Sequence, residues 1–266
     1  MNFEKISDGV YRHKKFSMSV DFNQKKFFYP KNLKIGRDSV KNFSQNENFV
    51  VFECVYRLLQ KGYRPEDIFL EKAWQLGQNQ KSGIADICVS KNEKVFLIIE
   101  CKTFGAEFNH ELANLNSDGG QLFSYWQQEQ GCQWLVLYAS TFDNEKFDYS
   151  FASVSCNEEI YKNAATVPEK FKIWSENYNK KIADDVIFHD ETVAYQIGVE
   201  PFRKKNLKDF TDTGVVNAFE EVLRHNSVTN KQNAFDALLE LFICKLYFCC
   251  IISSERGIFF VYGKKF

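Results

Sequence analysis

The chain has 266 residues, 44% hydrophobic and 26% charged, with a formal net charge of −1. Such a balance belongs to a globular protein able to bury a sizeable core, in one large domain or a domain with a helical appendage. It excludes a global basic field, so any contact with phosphates has to come from local patches. None of the eight cysteines stands in a C-x-x-C pair, and the N-terminus lacks the apolar stretch of a signal peptide. No run approaches the roughly 18 apolar residues of a membrane span. A reducing, cytoplasmic setting without a membrane follows as the expectation.

In chain order, residues 1–43 read as polar and irregular, with short β-like runs such as Ser17–Phe22. The spacing of Val51, Cys54, Val55, Leu58 and Leu59 predicts a helix over about 46–60, ended by Gly62. Strand-like runs follow at 68–74, 84–90 and 95–102, the last two joined by a turn at Lys91-Asn92-Glu93-Lys94. Phe104-Gly105 opens what reads as a loop to Asn116, placed to lie over a ligand or serving only as a connection. Asp118-Gly119-Gly120 then starts a helix over 121–129, and an apolar strand follows at 134–139. Strand, helix, strand implies a crossover and a parallel pair. Together these elements predict an α/β fold with a mixed central sheet flanked by helices over residues 1–155. Residues 156–266 read as a mainly helical extension, with segments at 169–181, 206–210, 215–225 and 233–247.

The chemistry gathers around Gly83-Ile84-Ala85-Asp86 and, thirteen residues later, Glu100-Cys101-Lys102. Alternation along a strand puts Glu100 and Lys102 on one side and Cys101 on the other, with Asp86 on the neighbouring strand. Two carboxylates plus a backbone carbonyl, that of Cys101, suit Mg²⁺. Such an ion lowers the pKa of a water that can attack a phosphodiester, while Lys102 orients that water and offsets charge on the phosphate. A solvated strand end carrying a surface ion pair would give the same letters.

Two flanks bear on the choice. Glu47 shares the helix face of Val51, Cys54, Val55 and Leu58, from which Glu53 points away, and can serve as an extra metal or water ligand. Equally, Ser44-Gln45-Asn46-Glu47 fits a capping box. Gln121 and Tyr125 lie four apart on one face at a helix start. They can bond a phosphate or a water there, or be a polar helix start with a core aromatic. The four histidines show no zinc spacing. Arg203-Lys204-Lys205 with Lys208 can touch phosphates or form a solvated turn.

These parts together resemble the PD-(D/E)XK nuclease domain at the N-terminus of type I restriction enzyme R subunits and of fused restriction–N-6 adenine methylase proteins. The residues carrying the resemblance are ENFVVFECVYRLLQKGY, LEKAW, GIADICV, FLIIECKT, GGQLFSYWQQ and WLVLYAS, within 46–140. Ala85 stands where that superfamily's eponymous proline would be. The resemblance implies a restriction-endonuclease-like fold and a Mg-dependent endodeoxyribonuclease acting on double-stranded DNA in restriction–modification or phage defence. Asp86, Glu100, Lys102, Gln121 and Tyr125 would be its catalytic residues, and Glu47, Asp86, Glu100 and Cys101 would surround the metal. Methylase and specificity subunits or domains are the implied partners. Phe219–Lys245 resembles the helical opening of an N-6 adenine methylase, a resemblance that stops after Tyr247. No Asp/Asn-Pro-Pro-Tyr/Phe motif or glycine-rich S-adenosylmethionine loop is present, so methylation is not expected. A phosphate-binding loop of the G-x-x-x-x-G-K-[ST] kind is absent too. The alternatives are a non-catalytic nucleic-acid-binding or assembly module that keeps this fold, and a metal-dependent enzyme for small substrates.

Overall fold

The computed structural model describes residues 3–74, 83–156, 159–178 and 182–197. The chain divides into the units Met1–Pro201 and Phe202–Phe266, and the described residues all belong to the first. The helices expected at 206–210, 215–225 and 233–247, the basic run at 203–208 and the methylase-like segment lie outside the described residues.

The centre is a six-stranded mixed sheet. It contains β5 (Lys34–Ile35), β6 (Ile68–Ala73), β7 (Ile84–Lys91), β8 (Lys94–Cys101), β9 (Trp134–Asp143) and β10 (Lys146–Ser155). The strand order is β10-β9-β8-β7-β6-β5, with β8 and β9 parallel, β5 and β6 parallel, and the remaining pairs antiparallel. The fold is thus α/β, and the crossover from β8 to β9 is the expected one. Asn92 and Glu93 both take positive φ in the expected β7–β8 turn, the conformation of a tight two-residue hairpin.

Helix α1 (Glu47–Lys61) ends on Gly62, whose φ of 110° lets its N–H reach the carbonyls of Leu58 and Leu59. Ten of its residues are buried, far more than one amphipathic stripe requires. The reason is a second sheet that covers the side of α1 turned from the six-stranded one. It consists of β1 (Glu4–Ser7), β2 (Val10–His13), β3 (Met18–Asp21) and β4 (Lys26–Phe28), all antiparallel and in sequence order. Phe27 stacks on Phe52 at 4.7 Å and His13 meets Tyr56 edge-on at 5.3 Å. The segment read as irregular is therefore an ordered layer. Its strands of three or four residues are too short to show a period.

On the opposite side of the six-stranded sheet lie α2 (Ala106–Asp118), α3 (Gly120–Gln128) and α4 (Val167–Tyr178). Residues 106–116, expected as a loop, are helical because Phe108, Glu111 and Leu115 form a buried seam at helical spacing. Strand β10, hidden in the sequence by its half-buried alternation, pairs with β9 over ten residues. Glu53 corrects another expectation. It does not point away from the sheet but is 5% exposed, accepting hydrogen bonds from the hydroxyls of Tyr138 on β9 and Tyr149 on β10. Arg57, one turn on, lies between the rings of Tyr149 and Phe188 at 3.9 and 4.0 Å, so the buried carboxylate has a cation beside it.

Candidate active site

Two apolar clusters, one on each face of the central sheet, fix where the polar side chains go. Ile87, Leu97, Ile99 and Cys101 belong to the cluster that includes α1, whereas Cys88 and Ile98, cross-strand partners, belong to the one that includes α2 and α3. Side chains two apart on a strand share a face. Asp86, two before Cys88, and Glu100, two after Ile98, therefore both face α2 and α3, and Lys102 continues that row. The sheet brings together the three residues expected from the sequence.

Asp86 and Glu100 are 8% and 2% exposed, so both carboxylates are held in a largely dry setting. An Asp86 oxygen accepts the Cys101 backbone N–H at 2.7 Å. Lys102 Nζ donates to Glu100 Oε1 at 2.6 Å and to Glu47 Oε1 at 2.9 Å, spanning from the sheet to the first turn of α1. Glu100 Oε2 is buried without any hydrogen-bond partner. An oxygen in that condition costs on the order of 1–3 kcal/mol unless something compensates it. Burial, then the neighbouring Glu100 and Glu47, raise the Asp86 carboxyl well above the usual range. Burial also lifts Glu100, to about 7, against the pull of Lys102. Burial opposes the Lys102 charge, yet Glu100, Asp86 and Glu47 outweigh it and raise the ammonium.

Glu47 thus pairs with Lys102 and does not close a capping box: the Ser44 N–H bonds Asn42 Oδ1, and Asn46 at the helix start makes no side-chain cap. Gln121 and Tyr125 do share a face of α3, with Gln121 Nε2 to the Tyr125 hydroxyl at 3.4 Å. That hydroxyl donates to the Ile84 carbonyl at 2.7 Å, tying α3 to the strand that carries Asp86. Burial, then the charges of Glu100 and Asp86, push the phenol upward, so it stays protonated as a donor.

Next to this group opens a cleft of about 730 Å³, walled by the start of α1, the end of β8, α2 and Gln121. Glu47, Lys102 and Gln121 reach its wall, as do Glu107, His110 and Glu111. Glu111 escaped the sequence reading because α2 did. It is 6% exposed, accepting the Gln121 N–H at 3.0 Å and the Asn114 side-chain amide at 3.0 Å. Its signal was present as a carboxylate three after Phe108 and four before Leu115. The cleft wall therefore carries Glu47 and Glu111 beside Lys102, which in turn bonds the buried Glu100.

Among the described residues no three His, Cys, Asp or Glu side chains form a ready metal cage. Mg²⁺ does not require one, since it is commonly held through one or two carboxylates with water and substrate oxygens completing the shell. The unpartnered Glu100 oxygen and the neighbouring Asp86 carboxylate fit that donor set. Cys101 can offer only its carbonyl: its thiol, on the α1 face, is buried and pushed up by burial and by Cys54.

An α/β domain with an acidic cleft at the ends of its central strands is the class that fold and site define. Residues 47–148 match the family model described as type I restriction enzyme R protein N terminus (HSDR_N). That match, a little over a third of the chain, takes in α1 through β9 and every residue of the site. It supports a place in restriction–modification for this segment. No curated protein matches the chain. Among the described residues no helix is long and apolar enough to cross a membrane.

Proposed function

We propose that this chain is a Mg²⁺-dependent endodeoxyribonuclease of a restriction–modification system, hydrolysing DNA phosphodiesters. The observation that carries the reading is the buried Glu100 carboxylate, one oxygen unpartnered, on the same sheet face as Asp86 and beside Lys102. The match to the restriction R-protein N terminus makes DNA the substrate of choice. Asp86 and Glu100 would hold the ion, with the Cys101 carbonyl and Glu47 nearest at hand. When bound, Mg²⁺ supplies Lewis-acid polarisation and a water of lowered pKa. Lys102, fixed between Glu47 and Glu100, stays charged and stabilises negative charge developing on the phosphate. Gln121 and Tyr125 orient polar groups at the start of α3, and the buried strand ends keep all of these from moving. Water is added across one P–O bond, with no covalent intermediate on the protein.

A second reading, a non-catalytic nucleic-acid-binding or assembly module, is favoured by one observation: Lys102 already neutralises part of the acidic group. The two separate on plasmid nicking in Mg²⁺ and in EDTA. Asp86→Ala, Glu100→Ala and Lys102→Ala each abolish nicking on the first reading, while the protein remains folded. Nicking that survives all three changes, or that proceeds in EDTA, rejects it. Calorimetry that detects no Mg²⁺ or Mn²⁺ binding supports the second.

A further inference from the structure

The cleft presents a difficulty for a polyanionic substrate. Its wall carries Glu47, Glu107 and Glu111 against Lys102 and His110, so the cleft by itself repels phosphate. Attraction has to come from another surface. Residues 1–45 contain ten Lys or Arg against four Asp or Glu, in a chain with 34 and 35 overall. Positive charge is thus in excess over the four-stranded sheet and the turns that adjoin it.

Strand register sorts that charge by face. The row Tyr11, Val20, Phe27 is turned inward, where Phe27 stacks on Phe52 of α1. The rows Arg12, Ser19, Phe28 and Val10, Asp21, Lys26 lie on the other face, where Arg12, Lys26 and Phe28 are exposed while Ser19 and Asp21 are buried beneath them. Arg12, Lys14, Lys15, Lys25 and Lys26 are all exposed, on that outer face or in the turns that border it. Lys14 pairs with Glu4, but Arg12, Lys15, Lys25 and Lys26 form no salt bridge among the described residues. Asp21, the other acid of the face, is turned to the backbone N–H groups of Asn23 and Gln24. Phe28, on the same face, is 44% exposed.

The sheet is anchored close to the cleft. Lys26 bridges to Asn42, and the Asn48 amide on α1 bonds the carbonyls of Ser39 and Asn42. The next residues, Gln45, Asn46 and Glu47, are cleft wall.

We propose that the outer face of the four-stranded sheet binds the phosphate backbone of double-stranded DNA, supplying the attraction that the acidic cleft lacks. This surface rests on the nuclease reading for its choice of DNA, but not for its charge. Binding through phosphates gives affinity without sequence preference and a steep dependence on salt.

The test uses the full chain in EDTA, where no cleavage occurs, and the fluorescence anisotropy of a short labelled duplex over a series of salt concentrations. A variant with Arg12, Lys14, Lys15, Lys25 and Lys26 each changed to Gln is compared with one in which Lys146, Lys162 and Lys172 are changed to Gln. The expectation is a loss of affinity of at least tenfold for the first variant only. The slope of log K against log salt should also shrink by about 0.9 for each phosphate that the variant no longer neutralises. Equal affinity and equal slopes for the two variants overturn the proposal, as does binding whose slope is near zero. Plasmid nicking in Mg²⁺, run alongside, separates the two claims: if the wild type never nicks while the first variant loses affinity in EDTA, the nuclease reading fails and the surface stands.

Discussion

Glu100 shows at the scale of one residue how far the site is from being built for stability. Its carboxyl rises from 4.5 to about 7, chiefly through burial. An acid raised in this way binds its proton more tightly folded than unfolded. Below 4.5 both states are protonated and nothing is lost. As pH climbs from 4.5 to 7 the unfolded chain ionises first, and stability falls by up to about 3 kcal/mol. Glu100→Gln keeps the shape and an acceptor for Lys102 but removes the charge. In EDTA at pH 8 it should melt above the wild type, with the gap closing as pH drops toward 4.5. Adding Mg²⁺ should raise the melting temperature of the wild type and leave the variant nearly unmoved, because only a bound ion stabilises through mass action. Melting of Glu100→Gln below the wild type at pH 8 would show that the carboxylate is already fully compensated by Lys102.

At the scale of elements, the junction of α2 and α3 sets the cleft side of the site. Gly119 ends one helix and begins the next at φ 94°, and a Cβ there would lie 2.5 Å from the Phe123 ring. Gly119→Ala combines a left-handed backbone with a clash against a fully buried ring, at a cost of roughly 1–3 kcal/mol. Urea denaturation should show the midpoint drop. Nicking should weaken too, since Glu111, Gln121 and Tyr125 depend on this turn. An unchanged midpoint would mean the junction repacks freely. This is also where the sequence was hardest to read. The Asp86, Glu100, Lys102 row was legible because β7 and β8 are near-continuous apolar runs, with Asp86 near the start of one and Glu100 near the end of the other, and alternation assigns each side chain a face. Helix α2 offers only Phe108, Leu112 and Leu115 among asparagines and a serine, so its period is faint and Gly105 argues for a loop. The N-terminal sheet was hidden for another reason. Its strands gain order by packing on α1, a long-range effect that no short window of sequence contains. Glu53 was misplaced for a different reason: Tyr138 of β9 and Tyr149 of β10 reach it from the six-stranded sheet, and a wheel that sorts residues by hydrophobicity does not foresee a carboxylate held there by tyrosine hydroxyls.

For the whole unit, stability should be graded outward from the middle of the six-stranded sheet. Seven of the eight residues of β8 are buried, and its two faces feed different apolar clusters, so opening β8 exposes both at once. Strand β1 is the contrary case. All four of its residues are exposed, it pairs on one edge only, and its register shifts between Lys5 and Ser7. Native-state hydrogen exchange measures this difference directly. Amides of β8 and of its partner in β9 should exchange only through global unfolding, with the full free energy of the unit. Those of β1 should exchange by fraying, and β2 and β3 should fall between, held by His13, Met18 and Phe27 against α1. If β8 instead exchanged together with β1 at low denaturant, the strand end that carries Glu100 would be loose. A loose strand end cannot keep a buried carboxylate desolvated beside Asp86, and the electrostatic deficit on which the proposed divalent-cation site rests would vanish with it.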